Sequence, residues 1–213
     1  MSKEGTGTIV GMILVAGFVV ISAVVMSHWY LTVLAVVCIL LTAIVVYFFR
    51  DPERTVPQDA NLILSPADGK VVEIKDEFEK DFIKSTCTRV SIFLSVFDVH
   101  VNRIPVSGKV GYLRYQKGSF VQAYKSRASH VNEQTIIGIE YQKSKIVFKQ
   151  IAGLLARRIV CDIRDGDNVT AGERFGIIKF GSRVDIFLTD DVELKVSMNQ
   201  KVKGGESIIG VIR

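Results

Sequence analysis

The stretch DGDNVTAGERFGII, residues 165–178, is echoed later in the chain by QKVKGGESIIGVI, residues 200–212. In both stretches a Val-x-x-Gly-Glu turn is followed by an apolar run, and the two valines, Val169 and Val202, are 33 residues apart. Glycine with polar neighbours is typical of a turn, and a short run of Ile, Val and Phe is typical of a strand. The echo therefore predicts two turn–strand units, and two copies are too few for a solenoid.

The same alternation of turns and apolar runs continues over the chain from about Asp51 onward. Segments with a helical period are few, and 152–158 is ambiguous between helix and strand. We therefore predict a mainly β fold, β-rich α+β in class, built as an antiparallel β domain. Its Val-x-x-Gly-Glu turns are similar to the hammerhead turns of lipoyl- and biotinyl-type barrel-sandwich hybrid domains. The predicted strands are Gly69–Ile74, Arg89–Val96, Val110–Tyr115, Thr135–Tyr141, Lys145–Gln150, Arg158–Ile163, Phe175–Phe180, Val184–Leu188 and Glu193–Ser197.

The N-terminal segment differs in character because it holds two uncharged apolar runs, Ile9–Met26 and Leu31–Phe49. Each is close to the ~20 residues that a helix needs to cross a bilayer, and a cleavable signal peptide would have a single run. We predict a transmembrane helical hairpin over residues 1–49 and a β-rich domain over 50–213. A shallow re-entrant hairpin and a single bent helix remain alternatives.

Charge places the β-rich domain at the cytoplasmic face of the cell membrane. Lys3 lies before the hairpin and Arg50 and Arg54 lie after it, and basic residues flanking apolar helices favour the cytoplasm. The chain carries a net charge of +5, which suits anionic lipid head groups. It has no stripe of basic and aromatic residues, so we expect no nucleic acid partner.

The three cysteines, Cys38, Cys87 and Cys161, are isolated from one another and form no CxxC pair. This spacing excludes a disulfide framework and a zinc site of the usual kinds, so we expect no metal.

The bond between Gly181 and Ser182 lies between two apolar runs and suits a peptide that cuts itself. A serine hydroxyl can attack the preceding carbonyl and convert the amide to an ester, and β-elimination and hydrolysis then leave a pyruvoyl ketone on the new chain. Glycine leaves that carbonyl open and tolerates unusual backbone angles. Most Gly-Ser pairs are ordinary turns, and the chain has another at Gly118-Ser119, so this pair is weak without further residues.

Several polar residues would complete a decarboxylation site. His100 follows an apolar run, and an unperturbed imidazole titrates near neutral pH, so this residue is the candidate for proton transfer. Asp68, in Ala-Asp-Gly, is either a turn residue or the residue that orients a catalytic base. Candidates for binding the carboxylate or phosphate of a substrate are Asn102, Arg103, Lys117 and Lys125, although a solvated surface charge explains each basic residue equally well.

Six segments, taken in order, carry a resemblance to a known family. As a set they resemble the phosphatidylserine decarboxylase proenzymes in the short form found in bacteria and archaea. The resemblance covers about the last three-quarters of the chain, and the hydrophobic N-terminal hairpin agrees with it. The segments are FFRDPER (48–54), SPADG (65–69), DVHVNRIP (98–105), NE (132–133), QIAGLLARR (150–158) and FGS (180–182).

The resemblance implies cleavage between Gly181 and Ser182 into a β chain, residues 1–181, and an α chain, residues 182–213. The two would stay together as an αβ heterodimer, with a higher oligomer left open. It also implies a covalent pyruvoyl cofactor derived from Ser182. That group forms a Schiff base with phosphatidylserine in the membrane and yields phosphatidylethanolamine and CO2 in phospholipid biosynthesis. By matching position, His100 would assist decarboxylation and Asp68 self-cleavage.

The chain departs from the longer family members at Arg103. Those members carry a second histidine three residues after the one matching His100, whereas arginine stays protonated and cannot act as a base. The base for self-cleavage is therefore either His100 or Asp68. Two other functions remain open, namely the same chemistry on an archaeal ether-linked phosphoserine lipid, and a non-catalytic membrane-anchored barrel-sandwich scaffold.

Overall fold

A computed structural model describes residues 1–142, 144–154, 158–179 and 181–213. The described residues divide into two compact units, Met1–Pro52 and Glu53–Arg213. Phe180 of the cleavage motif and residues 155–157 of the ambiguous segment lie outside the described residues.

The first unit holds two helices, α1 (Lys3–Met26) and α2 (Trp29–Phe48). Both are long and apolar enough to cross a membrane. Ser27 adopts a left-handed conformation between them, and the Ser2 N–H donates to the Phe49 carbonyl at 2.9 Å, which joins the two outer ends. Both helices begin earlier than the apolar runs predicted, because polar and aromatic residues continue the backbone hydrogen bonding.

The second unit is built almost entirely of strands. A single short helix, α3 (Ala128–Val131), interrupts them within the described residues. The strands are β1 (Leu62–Leu64), β2 (Gly69–Glu79), β3 (Ser85–Leu94), β4 (Val101–Arg103), β5 (Gly108–Gln116), β6 (Gln134–Tyr141), β7 (Ser144–Ile151), β8 (Ile159–Cys161), β9 (Asn168–Val169), β10 (Arg174–Ile178), β11 (Ser182–Leu188), β12 (Val192–Leu194), β13 (Lys201–Val202) and β14 (Ile208–Ile212).

Three antiparallel sheets form from these strands in the described part of the chain. The largest has eight strands in the order β13-β2-β3-β11-β7-β6-β5-β9, and two three-stranded sheets have the orders β1-β14-β12 and β4-β10-β8. The prediction of a β-rich fold with two apolar N-terminal helices is confirmed. β2 and β3 are longer than predicted because their outer halves carry charged and polar residues that pair with each other, as Thr88 does with Asp76.

The core lies between the eight-stranded sheet and the two small sheets. Ile92, Phe148 and Ile186 of the large sheet pack against Phe175 of β10 and Ile209 of β14. In a strand alternate side chains point to opposite faces. Ser182, Val184 and Ile186 of β11 therefore share the inner face, and Arg183 and Asp185 point to the outer face.

Residues 117–133 lie over the outer face of the large sheet, and we call them the covering segment. Ser126 donates to Glu73 at 2.7 Å, and Ser129 donates to Asp185. The Asn132 side chain donates to the carbonyls of Val121 and Ala152. These bonds attach the covering segment to β2, to β11 and to the end of β7.

Candidate active site

Ser182 is the first residue of β11 and lies in the middle of the large sheet. It pairs with Leu94 of β3, and the next residue, Arg183, pairs with Ile151 of β7. The serine is fully buried, and its hydroxyl has no hydrogen-bond partner among the described residues. Leaving a buried hydroxyl unpaired costs about 1–3 kcal/mol. An unpaired buried hydroxyl at this position is what a nucleophile awaiting its reaction would look like.

Gly181 connects Ser182 to a buried histidine. Its backbone has a φ of 62°, a left-handed conformation that glycine adopts without strain. Its N–H donates to Nε2 of His100 at 3.3 Å, and the other ring nitrogen, Nδ1, lies 2.9 Å from the Asp98 carbonyl oxygen. A carbonyl only accepts, so the proton is assigned to Nδ1, and Nε2 then presents its lone pair to the N–H of Gly181, one residue before Ser182.

The carbonyl oxygen of Gly181 lies tightly against the backbone of Gly153. A Cβ at Gly153 would be 2.1 Å from this oxygen, well inside any permitted contact, and 3.2 Å from the Ala123 side chain. The space for the carbonyl therefore exists only because residue 153 lacks a side chain. Sequence reasoning placed Gly153 in a matching segment but gave it no role, and no local pattern signals a contact of this kind.

Asp68 follows Ala67, which packs with Leu94 and Val184 on either side of Ser182. Its carboxylate accepts two hydrogen bonds from Arg54, at 2.7 and 2.9 Å, and one from the Gly204 N–H at 2.8 Å. Burial raises the pKa of Asp68 above its ordinary value, against the opposing effect of the Gly204 N–H and the Arg54 guanidinium. The hydrogen bonds described for Asp68 thus go to Arg54 and Gly204.

The predicted substrate residues lie in different surroundings. Asn102 is fully buried and accepts a hydrogen bond from Gln150 at 2.9 Å. Arg103 is also buried; it donates to the Gly172 carbonyl and lines a cavity of about 760 Å³ together with Arg54 and Arg174. Lys117 and Lys125 are exposed, the former directly after β5.

A buried ionic network lies on the outer face behind Ser182, and sequence reasoning missed it. Arg183 bonds to Asp185 and Glu73, each at 2.6 Å, and Arg89 bonds to the same two carboxylates at 2.9 and 2.8 Å. Both arginines and Asp185 are fully buried. Burial alone would raise the pKa of Asp185, but the charges of Arg183 and Arg89 hold it below its ordinary value.

The network joins β11, which begins at Ser182, to β3, to β2 and to the covering segment. Arg183 also bonds to Ser91 of β3, and Arg89 to Ser129 of the covering segment. The alternation Ser-Arg-Val-Asp-Ile was a signal that Arg183 and Asp185 share a face. That this face would be covered was not visible in the sequence.

Comparison with known proteins identifies a family that matches most of this chain. The family model for phosphatidylserine decarboxylase matches residues 41–210. A protein from Wolbachia pipientis wMel named phosphatidylserine decarboxylase proenzyme is 53% identical over 184 residues, which cover 82% of this chain and 78% of that protein.

Two further relatives carry the same name. The protein from Desulfotalea psychrophila is 46% identical over 84% of this chain and 85% of its own length. The one from Chlorobium phaeobacteroides strain BS1 is 41% identical over the whole of both chains. The family expected from the sequence is therefore confirmed, and the chain belongs to the phosphatidylserine decarboxylase family of carboxy-lyases.

Proposed function

We propose that this chain cleaves itself between Gly181 and Ser182 and then, as a pyruvoyl enzyme, decarboxylates phosphatidylserine to phosphatidylethanolamine in phospholipid biosynthesis. The observation that carries the proposal is the unpaired, buried Ser182 hydroxyl, one residue from the Gly181 N–H that meets His100. The names of the relatives support the substrate and the existence of a precursor form.

In the proposed self-cleavage, Nε2 of His100 accepts the proton of the Ser182 hydroxyl, whose oxygen attacks the Gly181 carbonyl carbon. The C–N bond breaks, the nitrogen takes a proton, and an ester joins the two residues. Loss of the Ser182 Cα proton then breaks the Cβ–Oγ bond and releases Gly181 as a carboxylate. The resulting dehydroalanine rearranges to an imine, and water replaces its nitrogen as ammonia and leaves the ketone.

His100 suits the role of base better than Asp68 does, because its Nε2 lone pair lies against the N–H of Gly181, one residue before Ser182. The carboxylate of Asp68 is occupied by Arg54 and by the Gly204 N–H. We propose that the Asp68–Arg54 pair holds the 65–69 turn beside Ser182 and so supports self-cleavage. The packing of Ala67 against Leu94 and Val184 favours this role.

The pyruvoyl group would supply a ketone that withdraws the electrons released when CO2 leaves the substrate. The residues that would hold it are those beside Ser182. Leu94 pairs with Ser182 across the sheet, and the bond of Arg183 to Glu73 fixes the residue that follows Ser182. His100 would remain within reach for proton transfer, and Lys117 is exposed and basic enough to meet a phosphate.

We propose further that residues 1–49 anchor the protein in the cell membrane and that residues 50–213 form the catalytic domain on the cytoplasmic side. The two apolar helices support the anchor, and the basic residues at both ends of the hairpin support the orientation. The fragments 1–181 and 182–213 would form an αβ heterodimer.

An intact-mass measurement of the purified protein tests this function. We expect two fragments in place of the 23.6 kDa chain, with the smaller one blocked at its N-terminus and reactive toward hydroxylamine. The Ser182→Ala variant should remain a single chain and release no CO2 from phosphatidylserine. An active wild-type protein that keeps an unbroken backbone would overturn the proposal.

A further inference from the structure

Exposed apolar side chains of the second unit concentrate at one end of the large sheet. Among its described residues, seven large apolar or aromatic side chains are exposed, by 39% to 72%. Five of the seven lie at the end where Ser182 begins β11, and we call them the apolar rim. They are Val96, Phe97, Tyr115, Tyr124 and Leu154.

Strand pairing places these residues at the same end. Leu94 is opposite Ser182, so Val96 and Phe97 follow β3 at this end. Ile151 is opposite Arg183, so Leu154 follows β7 there.

The other two members of the apolar rim reach the same end by different routes. Gln134 pairs with both Ile151 and Gln116, which brings Tyr115 of β5 to this end. Tyr124 belongs to the covering segment, and its ring meets Phe93 edge-on at 6.1 Å. The apolar rim therefore lies at the end of the large sheet where β11 begins with Ser182, the residue whose chemistry we have proposed.

We infer that the apolar rim is a docking surface for a phospholipid bilayer that contains anionic lipid. Single exposed apolar residues are normal on a protein surface, but a cluster around a functional site is typical of an interaction surface. Burying such side chains in the interfacial layer of a bilayer is favourable.

Charge beside the apolar rim selects the partner. Lys117, Lys125 and Arg127 are exposed and lie in the covering segment, next to Tyr115 and Tyr124. Basic residues beside apolar ones attract an anionic membrane surface. A second copy of this chain would instead bring like charges together, so a bilayer suits the surface better than self-association.

The inference rests on the proposed function, in which a lipid head group must reach Ser182. Docking through the apolar rim would bring this end of the sheet to the interface where the head groups lie. Its test does not depend on self-cleavage, so the two ideas fail separately.

The experiment uses the full chain reconstituted in vesicles of phosphatidylcholine and phosphatidylserine with brominated acyl chains. The chain has one tryptophan, so Trp29→Phe gives a background without tryptophan fluorescence. Phe97→Trp then reports on the apolar rim. Phe78→Trp is the matched control, because Phe78 is 61% exposed and pairs with Thr86 at the opposite end of β3. Both variants are made with Ser182 intact and with Ser182→Ala.

We expect bromine to remove about half of the fluorescence of the Phe97→Trp variant, since interfacial apolar side chains lie ~5–10 Å deep. The Phe78→Trp variant should keep its fluorescence. Equal quenching of the two variants would overturn the inference. So would an unquenched Phe97→Trp signal that shifts to the blue as the ratio of protein to lipid rises, because that result would indicate a protein partner. A circular dichroism spectrum that matches that of the wild type reports that the variants are folded.

Discussion

Two glycines shape the Gly181–Ser182 peptide, the proposed cleavage site, for different physical reasons. Gly181 takes a left-handed backbone conformation that exposes its N–H to His100. Gly153 has no side chain, so the Gly181 carbonyl oxygen can lie where a Cβ of residue 153 would clash with it. A catalytic carbonyl that is displaced by about 1 Å can lose ~10²-fold in rate, so the position of this oxygen matters as much as the nucleophile.

We therefore expect Gly153→Ala to slow self-cleavage by about 10²-fold, because the new methyl group would displace the Gly181 carbonyl. The measurement is the fraction of full-length chain on a denaturing gel over time. Gly108→Ala is a matched control, since a Cβ there would lie 2.3 Å from the Glu140 carbonyl oxygen, away from Ser182. Equal cleavage rates in the two variants would show that Gly153 does not position the carbonyl.

We expect His100→Ala to accumulate as the full-length chain, because it loses the proposed base, whose Nε2 lone pair lies against the N–H of Gly181. Any processed fraction should decarboxylate about 10²–10⁴-fold more slowly than the wild type, the usual contribution of a positioned acid or base. CO2 release per mole of cleaved protein measures this. His130→Ala serves as the control because His130 is exposed on α3. Normal turnover by cleaved His100→Ala protein would remove His100 from the decarboxylation step.

At the scale of single residues, the sequence predicted the chemical groups of the candidate site better than it predicted which residues contact them. Ser182, His100 and Asp68 were chosen for their chemistry, and their functional roles stay predictions. The bond between Asp68 and Arg54 was not foreseen, because Arg54 belonged to the linker after the apolar runs. The contact of Gly153 with Gly181 joins two strand ends and depends on tertiary geometry alone.

At the scale of elements, β11 separates two kinds of chemistry on its two faces. Its inner face carries Ser182 and the apolar core, and its outer face carries Arg183 and Asp185 in the ionic network. Alternating side chains of a strand point to opposite faces, and the charged face of an antiparallel sheet commonly meets solvent. The covering segment buries that face, and its residues have no periodic pattern that would have announced this.

We expect Asp185→Asn to lower the free energy of unfolding by about 3–5 kcal/mol at pH 7, as is usual when one partner of a buried ion pair is removed. Arg183 and Arg89 would then keep their charges with one carboxylate fewer. The measurement is denaturant unfolding of the detergent-solubilised protein. Glu193→Gln is the control, because its pair with Lys195 is exposed, and little change is expected there.

The loss of stability caused by Asp185→Asn should also depend on pH. The folded-state pKa of Asp185 lies below its ordinary value, so its contribution is complete above the unfolded pKa of about 4 and is lost as the pH falls through the folded pKa. The difference between wild type and Asp185→Asn should therefore shrink in acid. A difference that stays constant down to acidic pH would contradict the assignment of the charge to Asp185.

At the scale of the molecule, the chain combines an apolar helical unit and a β unit. The division into helices and strands followed from hydrophobic periodicity, and the β-rich class was correct. The sheet order was beyond reach, because β11 pairs with β3 and β7, which precede it by many residues. Pairing of this kind depends on which partners complete the core, and short strand motifs do not specify it.

We expect removal of residues 1–48 to convert tight membrane association into a salt-sensitive one. The full chain should stay with membranes through an alkaline carbonate wash, since two apolar helices insert almost irreversibly. The shortened chain should be released by salt, because only interfacial and electrostatic contacts remain. Its self-cleavage reports correct folding. A folded, shortened chain that resists both washes would show that the helices are not the anchor.

The location of β11 within the large sheet limits what can happen after the backbone breaks. Seven residue pairs join β11 to β3 and five join it to β7, and β14, from the same C-terminal stretch, pairs with β1. If the proposed cleavage occurs, residues 182–213 would stay paired with strands of the larger fragment and would neither diffuse away nor be replaced by a fresh copy. Heavy and light isotopic forms of the processed enzyme, mixed and incubated, should never trade pieces. Under the proposed function, each molecule would therefore mature once and keep that single reactive centre until it is degraded.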